Sequence, residues 1–253
     1  MMKKLLAAIL APLLCLFALS ACAVRETGNG DTSSLLTEEE QEMQNGYYTA
    51  GTRIDDVLSD PVFGSWGRLI FPVDEWYYNG DTLGSLSMTW YTHIDPDMTV
   101  QICIYLRELR LAGVQVFYDI YTEEEKRADP EKENTGLFFF RGNAGAPFAV
   151  TCAGGGWAYI AAMHDSFPHA LELSRRGYNA FAVIYRPGAP TAYEVLARAL
   201  SFIFENADAL GVDTSGYSLW GGSAGARMAA ELGSYGAAAY GGDNIPKPAA
   251  VIM

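Results

Sequence analysis

The sequence predicts an α/β protein: a three-layer sandwich with a mostly parallel sheet between helical layers, preceded by an aromatic-rich N-terminal extension. Three observations carry that expectation. From Gly113 onward, apolar runs of strand length alternate with longer helical stretches, and such alternation builds a parallel sheet covered on both faces. Half of the 253 residues are hydrophobic, enough for a sizeable core in one large domain. A glycine-bounded pentapeptide, Gly221-Gly222-Ser223-Ala224-Gly225, separates a short apolar run from an alanine-rich segment, which is the pattern of a sharp strand-to-helix corner.

The elements follow in chain order. Lys3 and Lys4 precede an apolar run from Leu5 to Leu19, too short for a permanent membrane span but suited to a secretory signal. The run ends in Leu19-Ser20-Ala21-Cys22, which resembles the bacterial lipobox. Residues 1–22 are therefore expected to be a lipoprotein signal peptide, with lipid on Cys22 holding an extracytoplasmic protein to a bacterial membrane. Residues 23–46 are polar and acidic, with Glu38, Glu39 and Glu40 in a row, and read as a flexible tether. Cys15 would leave with the signal, so Cys103 and Cys152 remain. One falls in a predicted helix and the other in a predicted buried strand, which favours two inert buried thiols over a disulfide.

Residues 47–113 form the extension or lid, dense in aromatic side chains that include Trp66, Trp76, Trp90 and Tyr91. Core and lid packing is the expected reason for this density, and a carbohydrate platform the alternative. One helix is clear, with Asp95 as N-cap, Pro96 in the first turn and apolar positions at Val100, Cys103, Ile104 and Leu111. His93, just before it, receives no role.

Residues 114–253 carry the alternation. Val114, Val116, Tyr118 and Ile120 alternate with their neighbours and predict a strand pairing antiparallel with Leu137–Phe140, across a charged loop from Glu123 to Glu133. Then come a buried strand at Phe148–Cys152, a helix over Ser166–Arg176, a strand at Ala180–Tyr185, a helix over Ala192–Leu210, a strand Tyr217–Trp220 into the corner, a helix from Ala224 to Leu232, and a last apolar segment Ala249–Met253.

Chemistry enters with the corner. In G-x-S-x-G the serine sits on a strained turn that exposes its hydroxyl, and the flanking glycines let strand and helix approach. Ser223 is the candidate nucleophile, with Gly221 and Gly225 forming the elbow. Acyl transfer also needs donors for the oxyanion that develops on the attacked carbonyl. Ala153-Gly154-Gly155-Gly156-Trp157 follows a predicted strand one strand-helix-strand unit earlier, where successive glycines can turn N–H groups toward one point.

With these residues in place, the second half of the chain resembles the α/β-hydrolase fold, in particular bacterial acetyl-esterase and feruloyl-esterase type lipases related to hormone-sensitive lipase. The resemblance rests on Ala153-Gly154-Gly155-Gly156 in the place of a His-Gly-Gly-Gly loop, on Tyr185-Arg186-Pro187, on the helix ending Glu205 to Asp213, and on Gly221 to Gly225. It implies an acyl-enzyme at Ser223, with an oxyanion hole from the N–H groups of Ala224, Gly155 and Gly156. Trp157, His164 and His169 are candidates to line the pocket.

The resemblance has gaps. Ala153 stands where the family has histidine, and no histidine follows Ser223, although in this fold the triad runs serine, acid, histidine in chain order. Glu231 and Asp243 are poorly placed for the acid. The chain is therefore expected to be the N-terminal part of a longer hydrolase, without useful turnover as it stands. A serine peptidase of the prolyl-oligopeptidase type is one alternative. Another is a non-catalytic glycan-binding lipoprotein on a degenerate hydrolase scaffold, with Trp76 and Trp90 on its binding face. A net charge of −13 argues against nucleic acid as partner. No metal or cofactor is expected: the three histidines lack ligand spacing, and neither glycine cluster continues into a nucleotide-binding fingerprint.

Overall fold

Strands such as Gly136-Leu-Phe-Phe-Phe140 and Asn179-Ala-Phe-Ala-Val-Ile184 have no polar alternation, so both of their faces must be covered. The computed structural model, which describes residues 48–253, covers them in this way. The predicted signal peptide, Cys22, the tether at 23–46 and Tyr47 lie outside the described residues.

The N-terminal part contains a short helix α1 (Ile54–Leu58), a two-stranded ribbon β1 (Tyr78–Asn79) and β2 (Ser87–Met88), and the long helix α2 (Pro96–Leu111). There follow β3 (Phe117–Tyr118), α3 (Glu123–Ala128), β4 (Gly136–Phe140), β5 (Pro147–Cys152), α4 (Ala162–Asp165), α5 (Phe167–Arg175), β6 (Asn179–Ile184), α6 (Ala189–Glu205), α7 (Ala207–Leu210), β7 (Asp213–Gly221), α8 (Ala224–Tyr235) and β8 (Ala250–Ile252). The main sheet has the order β3-β4-β6-β5-β7-β8. Its first two pairings are antiparallel and the other three parallel. The step from β5 to β6 runs one way along the sheet and that from β6 to β7 the other. Right-handed crossovers in opposite directions place their helices on opposite faces. Accordingly α5 packs with α2, and α6 with α8.

Several sequence expectations hold and several are corrected. Asp95 caps α2, accepting from the N–H groups of Asp97 and Met98. The buried stripe of α2 is Thr99, Ile102, Cys103 and Leu106, the i, i+3, i+4, i+7 set of one helical face; Val100 and Ile104 are only half-buried and Leu111 is 62% exposed. The expected strand from Val114 to Ile120 shrinks to β3, which does pair antiparallel with β4. The charged loop at 123–133 contains α3, closed by a capping box in which the Thr122 side chain accepts from Glu125 N–H and Glu125 returns a bond to Thr122 N–H. The helix expected over 192–210 is broken at Asn206 into α6 and α7. Cys103 and Cys152 are free and fully buried, and burial pushes both thiols well above their ordinary pKa.

The extension is packed into the same core. Trp66 stacks on Phe117 at 5.4 Å and meets Phe138 edge-on at 5.6 Å. Behind it, the Tyr48 hydroxyl donates to Asp60 at 2.5 Å and Arg107 Nε to the same carboxylate oxygen at 2.9 Å. Trp76 and Trp90 are exceptions, 92% and 63% exposed.

Candidate active site

β7 ends at Gly221 and α8 begins at Ala224, so two residues reverse the chain. Ser223 takes the strain, at φ 50° and ψ −117°, a conformation costing a non-glycine residue on the order of 1–3 kcal/mol. The glycines explain why the corner closes. A Cβ on Gly225 would stand 2.0 Å from the Cys152 carbonyl oxygen at the end of β5, and one on Gly221 2.3 Å from the carbonyl of Gly225. Neither backbone can yield, so only glycine lets α8 start this close to the sheet.

The glycine loop after β5 reaches the same spot. A Cβ on Gly154 would lie 3.0 Å from Ser223 Cβ. The loop carbonyls are held from the other side: Tyr185 donates its hydroxyl to Ala153 O at 2.7 Å, Ala161 N–H donates to Gly154 O at 3.0 Å, and Ala158 N–H donates to Gly155 O at 3.0 Å. Across a trans peptide the next N–H points opposite to each carbonyl, so the N–H groups of Gly154, Gly155 and Gly156 are turned out of the loop. Gly154 N–H is taken by Asp165 Oδ2 at 2.6 Å. Those of Gly155 and Gly156 meet no acceptor among the described residues. Gly155 and Gly156 sit at φ 130° and 61°, and a Cβ on Gly155 would meet the Tyr159 carbonyl oxygen at 2.0 Å.

The remaining candidates are dispersed. Trp157, at φ 66°, turns edge-on to Tyr185 and Tyr193. His164 is half-buried with its ring 4.4 Å from that of Tyr91; burial, aided by His169 and opposed by Asp165, lowers its pKa. His169 Nδ1 lies 3.1 Å from the Asp165 carbonyl oxygen. It lines a cavity of about 280 Å³ with Thr151, Asp165, Trp220, Gly221 and Gly222. A larger cleft of about 510 Å³, between the extension and the sheet domain, is lined by residues such as Arg68, Tyr78, Tyr159 and Arg186 and by none of the predicted site residues. Among the described residues no three His, Cys, Asp or Glu side chains gather as a metal site would require.

Two residues at the corner, Asp165 and Tyr91, have no place in the motif reading, and Gly154, part of its glycine loop, is assigned no contact there. A Cβ on Gly222 would lie 2.6 Å from both Asp165 carboxylate oxygens, and Tyr91 Oη stands 3.4 Å from Asp165 Oδ2. Asp165 could have been noticed between the two histidines. Nothing in a run of ten aromatics marks Tyr91.

Strand order, crossovers and a strained serine between β7 and α8 define an α/β-hydrolase fold. Comparison agrees: residues 141–244 match the family profile described as BD-FAE. No curated protein matches the sequence. Among solved structures, the apo form of esterase 2 from Thermogutta terrifontis is similar over 38% of this chain and 40% of that one, at 25% identity and a TM-score of 0.36. Its propionate-bound form is similar over 38% and 39%, at 26% identity and a TM-score of 0.36. MGS-M1, an α/β-hydrolase enzyme from a Medee basin deep-sea metagenome library, is similar over 47% of this chain and 50% of its own, at 24% identity and a TM-score of 0.41. The chain thus spans between 39% and half of the length of these proteins.

Proposed function

We propose that the protein is a serine carboxylesterase acting on small acyl esters, such as acetyl or feruloyl groups on carbohydrate, through an acyl-enzyme at Ser223. The strained corner carries the reading: φ 50° at Ser223, with both flanking glycines pressed against backbone, is a costly arrangement that a structural turn has no need of. Ser223 Oγ bonds to the ester carbonyl carbon while the carbonyl π pair moves onto oxygen and the hydroxyl proton passes to a general base, which then hands it to the leaving alcohol oxygen. The N–H groups of Gly155, Gly156 and Ala224 receive that charge. Collapse expels the alcohol, and water then releases the acid. Neither His164, tilted against the Tyr91 ring, nor His169, beside Trp220, is given the role of general base.

Lipid on Cys22 would hold the enzyme outside the cytoplasm at a membrane; the signal-like residues 1–22 support this. Incorporation of a fatty-acid probe that disappears in Cys22→Ser tests it.

The test of the chemistry is covalent. A fluorophosphonate incubated with the full-length protein should add to Ser223, as peptide mass spectrometry reads it, and p-nitrophenyl acetate should be hydrolysed; Ser223→Ala should lose both. A folded protein with no adduct at Ser223 sinks the reading. Hydrolysis of an aminoacyl amide without the ester would point to a peptidase instead. The second reading, a glycan-binding lipoprotein, draws on the exposure of Trp76 and Trp90. It predicts polysaccharide binding that survives Ser223→Ala and vanishes when both tryptophans become alanine.

A further inference from the structure

The sheet domain is not alone at Ser223. After β2 the chain turns back at once: Met88 N–H donates to the Tyr91 carbonyl and Tyr91 N–H to the Met88 carbonyl, both at 2.9 Å. The turn between them places Trp90 at φ 74°, a strained value for any residue but glycine. That strain is held by contacts from the glycine loop. The Tyr159 hydroxyl donates to the Thr89 carbonyl, and Trp90 stacks on Tyr159 with centroids 5.7 Å apart and planes 12° from parallel. The indole also covers Gly156, where a Cβ would come within 2.7 Å of it. Thr89 N–H donates to Tyr77 O at 2.7 Å and completes the clamp.

What the clamp positions is Tyr91. Its hydroxyl is 3.4 Å from Asp165 Oδ2, the atom that accepts Gly154 N–H. It lies beside the Ser223 side chain: a Cβ on Gly154 would sit 2.2 Å from Tyr91 Oη and 3.0 Å from Ser223 Cβ. Burial, with the neighbouring Asp165, pushes this phenol well above its ordinary pKa, so the hydroxyl stays neutral and can both donate and accept.

We infer that Tyr91 is a positioning residue of the acyl-transfer site, supplied by the extension: its hydroxyl holds Ser223 Oγ in one rotamer and links it through Asp165 to the glycine loop. This rests on the reading of Ser223 as the nucleophile. A serine Oγ on an exposed corner can rotate among three staggered wells; a fixed partner selects one. No bond forms or breaks at Tyr91 Oη.

Tyr91→Phe keeps the ring against His164 and removes only the hydroxyl. In the full-length protein it should slow phosphonylation of Ser223 roughly tenfold, the scale of one lost hydrogen bond, and lower kcat for p-nitrophenyl acetate with KM and Tm unchanged. A contact readout that needs no turnover accompanies it. In protein carrying tyrosine labelled with ¹³C at Cζ, the signal missing from Tyr91→Phe identifies Tyr91, and Ser223→Ala should shift that signal. Phosphonylation of Tyr91→Phe at the wild-type rate overturns the inference, as does a Tyr91 signal unmoved by Ser223→Ala. Failure of the wild-type protein to form any adduct would fall on the esterase reading, while the labelled tyrosine would still decide the contact.

Discussion

Ser223 pays in backbone strain for an exposed hydroxyl. With φ 50° and ψ −117° and no capping bond from its side chain, it contributes less to stability than glycine would at the same position. Ser223→Gly should therefore raise unfolding stability by about 1 kcal/mol, within the range for strain at such residues, while abolishing reaction with the fluorophosphonate. Urea denaturation reads the first effect; a less stable variant would show that the corner is not strained as drawn. His164 sets a pH dependence at the same scale. Its folded pKa is lowered, chiefly by burial and secondarily by His169, with Asp165 pulling the other way. The unfolded chain thus binds a proton at pH values where the folded chain does not, and stability rises with pH in that window. The contribution of neutral His164 is lost as pH falls below about 6.5, the value of an unperturbed histidine. His164→Gln should flatten the fall in denaturation midpoint between pH 7 and 5; identical curves would remove His164 as its source.

At the scale of elements, α2 shows how far sequence pattern reaches. Its N-cap was readable because Asp95-Pro96 carries a local mechanism: a carboxylate accepts N–H groups that the helix leaves free. Its buried face was misread at Val100, Ile104 and Leu111, because which stripe is buried depends on where α5 packs. Similarly, Val116 and Ile120 are buried while only Phe117 and Tyr118 pair with β4. Alternation reports burial, whereas a strand needs a neighbouring backbone. The capping box at Thr122 and Glu125 has a local sequence signature, but the run of charge around it reads as a loop. Arg107 ties α2 to the start of the extension through Asp60, whose carboxylate is only 7% exposed. Burial raises the pKa of Asp60, but hydrogen bonds from Tyr48, Val62 N–H and Arg107 more than offset it and leave the value lowered. Arg107→Ala should cost about 1–3 kcal/mol, the penalty for a buried polar group that loses a partner; a change below 0.5 kcal/mol, roughly the surface-substitution level, would assign the pair no structural weight.

Across the whole molecule, the two cysteines among the described residues report how firmly extension and sheet are joined. Cys103 lies on the face of α2 that is turned inward, Cys152 at the end of β5, and both are fully buried with thiols of raised pKa. Thiolate is the reactive form, so neither should react with a thiol reagent until the structure opens, and both should become reactive together across the unfolding transition. Early reaction of Cys103 alone would mean that α2 detaches while the sheet persists.

The division between what was legible and what was not follows from the range of the interactions. By itself the sequence determined the order of strands and helices, the corner at Ser223 and the glycine loop, because apolar periodicity, small residues at tight approaches and capping side chains act within a few residues. It also suggested that the loop and corner converge, since one strand-helix-strand unit separates them. Only the tertiary structure decided that Asp165 would accept from Gly154 N–H and stand against Gly222, and that Tyr91, 132 residues before Ser223 in the chain, would bring its hydroxyl beside the serine side chain. Those contacts depend on the extension wrapping back onto the glycine loop through Thr89, Trp90 and Tyr159. An aromatic residue in such a segment satisfies the hydrophobic pattern equally well wherever it packs, so pattern alone could not distinguish the one tyrosine whose hydroxyl faces the site.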